Sequence, residues 1–245
     1  MHPQDVCRFF ENGALMNAFL PIAPALRVCI MPWVALQHLL RRPPYDGLYG
    51  GRALRRFLNQ TVTADRMQIE EWDIPVAASV FNLITGRAEL IERGEFGLIA
   101  SATTAVPALF RPVEMGDGLY LDGGVLQNLP VEAGRRAADA LGGGIVVAVN
   151  VNEPHHLELP AEHFRQPANA TFRVMSAHNQ VIDVPQELLA DVVIRAEVPM
   201  RMTSKNRAEI ATAIAIGAGA AKRALPQIRR CIAGKSVRSG QMAVV

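Results

Sequence analysis

A chain of 245 residues, half of them hydrophobic, carries enough apolar material for one globular α/β domain with a real core. Its 25 basic and 23 acidic side chains leave a formal charge of +2, which removes the electrostatic case for a nucleic-acid partner and favours a neutral or lipidic one. Cys7, Cys29 and Cys231 are odd in number and widely spaced, which excludes zinc-finger spacing and reads as buried or incidental thiols in a reducing compartment.

The first residues lack the basic-then-apolar layout of a secretory signal, so the expectation is a cytoplasmic protein, peripheral at a membrane at most. Val6, Phe9 and Phe10 share one side of a short helix over Gln4 to Gly13. Ala14 to Leu40 is apolar, but Pro21, Pro24, Arg27 and Pro32 interrupt it. It therefore reads as a core or lid element able to touch a lipid surface, and not as a spanning helix. Arg41 to Gly47 is a breaker-rich loop, and Gly51 to Asn59 a helix with Leu54, Phe57 and Leu58 at helical spacing. Ile74 to Phe81 is a continuous apolar run suited to a buried strand, and Asn82 to Ile91 makes a hairpin-like excursion.

Glu95 to Thr104 reads as a helix, and Val113 to Leu121 as a strand pair or bent strand around Gly116-Asp117-Gly118. A helix over Leu129 to Leu141 begins with proline in its first turn and ends at Gly142. Ile145 to Val151 is the clearest buried strand, Asn152 to Gln180 a surface excursion, Asp191 to Arg195 a last short strand, and Lys205 to Cys231 a long alanine-rich helix. Strands alternating with helices predict a mainly parallel sheet flanked by helices.

The informative stretch is Leu119 to Val131. An apolar strand ends in Asp122, Gly123 and Gly124 turn the backbone, and Asn128 with Pro130 announces a helix. A carboxylate at a strand end followed by two glycines leaves room for a nucleophile from a neighbouring strand, in the kind of crevice where open α/β sheets bind ligands. Taken alone, Asp-Gly is an ordinary turn dipeptide. Asn128 reads as a helix-start residue whose side chain satisfies free backbone N–H groups, Asp117 as a turn residue, and Gly142-Gly143-Gly144 as a connector. His155, His156 and His163 cluster with Glu153, Glu158 and Glu162, but their spacing matches no helical metal-ligand arrangement, so no metal and no cofactor are expected. None of Ser79, Ser101, Ser176, Ser204, Ser236 and Ser239 lies in a Gly-x-Ser-x-Gly elbow.

Together, Ala102 to Val113 and Leu119 to Val131 resemble the second half of a patatin-like phospholipase domain. The resemblance covers roughly Tyr45 to Val151 and is densest from Ile74. It implies a patatin-like, lysophospholipase-like α/β fold over a single domain, 1–245. It also implies a lipid acyl-ester hydrolase of a Ser-Asp dyad, with Asp122 as the base and Gly123 and Gly124 supporting it. Two departures stand out: Ser101 occupies a place where the family usually has a basic residue, and the glycine-rich oxyanion loop and serine elbow have no counterpart. Asp5 to Glu11 resembles the stretch that comes after the elbow, so the expectation is an N-terminally incomplete domain, inactive on its own and prone to self-association. The implied substrate is phospholipid or lysophospholipid; the rival is an inactive remnant or a lipid- or partner-binding subunit.

Overall fold

The computed structural model describes residues 3–20, 32, 35, 36, 39, 40, 47–62, 65–152, 158–165, 167–198 and 207–241. The chain divides into two compact units, Met1–Leu126 and Gln127–Val245.

In the first unit the elements are α1 (Pro3–Glu11), α2 (Ala14–Phe19), α3 (Arg52–Thr61), β1 (Ala78–Asn82), β2 (Arg87–Ile91), α4 (Phe96–Thr103), β3 (Val113–Met115) and β4 (Gly118–Asp122). The strands form one sheet in the order β2-β1-β4-β3, and every neighbouring pair is antiparallel. This corrects the expected mainly parallel sheet. Two short connections dictate two of the three pairings: the four residues between Asn82 and Arg87, and Gly116-Asp117 between β3 and β4, can join only antiparallel neighbours. The apolar run at Ile74 also starts its strand later than expected, at Ala78, with Ile74 itself 76% exposed.

Alternation along the paired strands sorts the core. Phe81 and Leu121, opposite each other across β1 and β4, pack with Tyr49, Phe110 and Phe19, whereas Val80 and Tyr120 face Ala102 of α4. The helix α4 lies so close on α3 that a Cβ at Gly97 would fall 2.3 Å from Asn59 Oδ1 and 2.7 Å from the Arg55 carbonyl oxygen. Beside that contact, Arg55 donates from both Nε and Nη2 to Glu95, at 2.6 and 2.5 Å.

The second unit contains α5 (Val131–Ala140), β5 (Val147–Asn150), α6 (Pro167–Glu187), β6 (Val192–Arg195) and α7 (Arg207–Gln241). Here β5 and β6 are parallel, with residues of α7 packed on Val192 and Ile194 and Val131 of α5 packed with Ala148. The strand expected to be fully buried is only partly so: Val149 is 54% exposed. The last half or so of the expected surface excursion, up to Gln180, is instead the first two-thirds of α6. Its buried positions, Ser176 and Asp183, are polar and two turns apart, while Val174 and Val181 are exposed, so apolar periodicity does not reveal the packed face. Asp183 is 1% exposed, and its Oδ2 accepts from the side-chain amides of Asn128 and Asn152, each at 2.7 Å, and of Asn150 at 3.4 Å.

Candidate active site

The strand β4 delivers Asp122 to the end of the sheet. Its backbone is fixed from two sides: it pairs with Val80 of β1, and its N–H donates to the Ala105 carbonyl at 3.0 Å, tying the strand end to the segment after α4. The side chain then caps the single 3-10 turn Gly123–Val125, with Oδ1 accepting from the Gly124 N–H at 2.8 Å. Oδ2 has no partner among the described residues. Burial pushes the Asp122 carboxyl above its ordinary range, and the Gly124 N–H offsets part of that push. A carboxylate in that state takes up a proton more readily than one in water, and its second oxygen is free to do so.

Gly123 is required by space. A Cβ there would stand 2.4 Å from the Ser79 carbonyl oxygen and 2.5 Å from both the Ser79 carbonyl carbon and Oγ. The Ser79 carbonyl is itself held, since Thr103 Oγ1 donates to it at 2.7 Å. Gly123 thus sits against a wall formed by Ser79 and Thr103, two residues that the sequence did not single out. No local pattern marks these two; only the β1–β4 register brings them to the site.

Asp117 lies exposed in the β3–β4 turn. Gly142 and Gly143 follow α5 with positive φ, as residues of a connector. Asn128 is not a helix cap. Pro130 occupies the capping position of α5 without a side-chain bond, and the Asn128 amide is drawn instead to Asp183. Ser101 is buried within α4, its hydroxyl donating to the Gly97 carbonyl at 2.7 Å. His163 packs edge-on against Phe164, while Glu153, His155 and His156 lie outside the described residues. Among the described residues, no three His, Cys, Asp or Glu side chains group as metal ligands.

The model of the patatin-like phospholipase family matches residues 8–134, just over half of the chain. The chain belongs to the patatin-like phospholipase family. Membership points to lipid acyl-ester hydrolysis, and the matched span runs from α1 to the first turn of α5, with the whole Asp122 turn inside it. Among the described residues of this patatin-like chain, no helix is long and apolar enough to cross a membrane. Most of Ala14 to Leu40 beyond Leu20 lies outside the described residues; its described start is α2.

Proposed function

We propose that Asp122 is the general base of a Ser-Asp dyad that hydrolyses acyl esters of phospholipid or lysophospholipid. The observation that carries this reading is the free Oδ2 of a half-buried carboxylate whose other oxygen is fixed by the Gly124 N–H. In the reaction, Asp122 takes the proton of a serine hydroxyl as the serine oxygen attacks the ester carbonyl. The alkoxy group leaves with a proton returned from Asp122, and water then cleaves the acyl-serine by the same base. That serine is not among these 245 residues in a Gly-x-Ser-x-Gly setting, so these residues alone are expected not to turn over esters. The second reading, an inactive lipid- or partner-binding subunit, is favoured by that same lack of an elbow.

The test is reconstitution. A segment carrying a patatin-type glycine-rich loop and serine elbow is fused ahead of the chain, and hydrolysis of a short-chain nitrophenyl ester and of lysophospholipid is measured. Under the dyad reading the fusion gains activity that a serine-directed fluorophosphonate abolishes, and Asp122→Asn lowers it by about 10²–10⁴-fold, whereas Asp117→Asn leaves it unchanged. Full activity in the Asp122 variant refutes the assignment. Fluorophosphonate-sensitive turnover by the unfused chain refutes its inactivity.

A further inference from the structure

The first unit holds a cavity of about 680 Å³ whose lining does not include the Asp122 turn, walled by α2, the start of α3, part of α4 and the segment entering β3. Its charged lining is lopsided: Arg52, Arg55, Arg56 and Arg111 against the single carboxylate of Glu114. Arg55 is satisfied by Glu95, but among the described residues neither Arg52 nor Arg56 has an acidic partner. Arg52 and Arg56 are one helical turn apart on the same face of α3, a like-charge pair that destabilises the helix, and Arg52 adds a positive charge to a first turn that contains no acid.

The fourth guanidinium is brought there by the backbone. Tyr49 forms a parallel bridge with Phe110, and the Arg111 N–H donates to the Tyr49 carbonyl at 2.7 Å. Arg111 is thereby anchored beside the Gly50-Gly51 entry to α3, and its Nε reaches the Gly47 carbonyl at 3.4 Å. Much of the remaining wall is apolar, with Phe19, Leu48, Leu98 and Val113 among its lining residues beside Ser101.

We propose that this cavity binds the phosphate monoester group of an amphiphile, with Arg52, Arg56 and Arg111 on the phosphate and the apolar wall on the attached chain. Three guanidiniums less the Glu114 carboxylate leave a surplus of two positive charges, which matches a phosphate monoester better than a zwitterionic diester or a carboxylate. Guanidinium forks suit phosphate oxygens. The volume falls in the range of roughly 300–1,000 Å³ usual for small-molecule sites and far exceeds a bare phosphate. That the ligand is a lipid rests on the hydrolase reading above. The phosphate recognition does not, because binding requires no nucleophile.

The experiment is calorimetric titration of the full chain with a short-chain monoacylglycerol phosphate below its micellar concentration, the matched choline ester, and inorganic phosphate. The expected order is monoacylglycerol phosphate tightest, with the choline ester weaker by about 10-fold or more. The double variant Arg52→Gln/Arg56→Gln, at exposed positions that leave the core untouched, should bind the monoester about 10-fold more weakly or worse. Arg52→Lys/Arg56→Lys should fall between. Equal binding of the choline ester, or unchanged affinity in the glutamine variant, overturns the proposal. Inorganic phosphate binding as tightly as the amphiphile overturns the lipid part and identifies free phosphate as the ligand. Because every arm reads binding, failure of the fused enzyme to hydrolyse esters leaves these outcomes intact.

Discussion

Replacing Gly123 by alanine tests whether the Asp122 turn is held by the close approach of β1. The added Cβ would lie 2.4 Å from the Ser79 carbonyl oxygen and 2.5 Å from its carbon. Ordinary contacts of this kind begin about 1 Å further out, so one backbone must yield by about that distance. Neither can do so cheaply. Ser79 pairs with Leu90 on one side and accepts from Thr103, and Gly123 follows directly on the Val80–Asp122 pair. Overpacking of a rigid site costs about 1–3 kcal/mol. At roughly 2–4 °C per kcal/mol for a chain of this size, Tm should fall by about 2–12 °C. Gly50→Ala is the control, since its Cβ meets nothing within 4 Å and its φ is ordinary. Thermal melts followed by circular dichroism measure both variants. If Gly123→Ala and Gly50→Ala melt together, the close approach is not what fixes the turn.

Asp122→Asn should raise Tm at neutral pH. The folded carboxyl lies above its ordinary value of 3.8, so the stability it contributes is complete below that value and lost as pH rises through the folded pKa. The Tm advantage of asparagine should therefore grow from acid to neutral pH; a constant or shrinking difference refutes the burial argument. Glu95→Gln carries the opposite sign, because the Arg55 hydrogen bond holds the Glu95 carboxyl below its ordinary value. Its Tm deficit should be present at pH 7 and vanish as pH falls through the depressed pKa, and a deficit that persists in acid contradicts the ion-pair account. Asp183→Ala strips the acceptor from three side-chain amides and should cost about 2–5 kcal/mol. Asp183→Asn should recover part of it, and urea titration distinguishes the two.

How much the residues disclose depends on which interactions are local. The β3–β4 hairpin, the capping aspartate and its glycines lie within one short stretch, and their turn chemistry is written there. The β1–β4 pairing is not, because it joins Val80 to Asp122 across 42 residues, and a continuous apolar run such as Ile74 to Phe81 suits a buried strand of either sense. The helix α6 is obscured because its packed face is polar and its exposed face apolar, the reverse of the pattern that periodicity detects. Asn128 looks like a cap because asparagine before proline favours helix starts, yet a carboxylate 55 residues away competes for its amide. Likewise Arg111 joins Arg52 and Arg56 only through the Tyr49–Phe110 bridge, which no sequence pattern announces.

The order of pairing within the first unit has a kinetic consequence. The hairpins β1–β2 and β3–β4 close loops of a few residues, whereas the Val80–Asp122 pair joins positions 42 residues apart. Closing the longer loop costs roughly 2 kcal/mol more in chain entropy. The two ribbons can therefore form within about 1–10 μs and wait for one another, with the β1–β4 seam zipping later. Since that seam pairs Asp122 with Val80 and sets Gly123 against Ser79, the candidate base should acquire its geometry in the last step of sheet assembly. Amide exchange along β4 should accordingly report the competence of the site more faithfully than any signal from the hairpin turns.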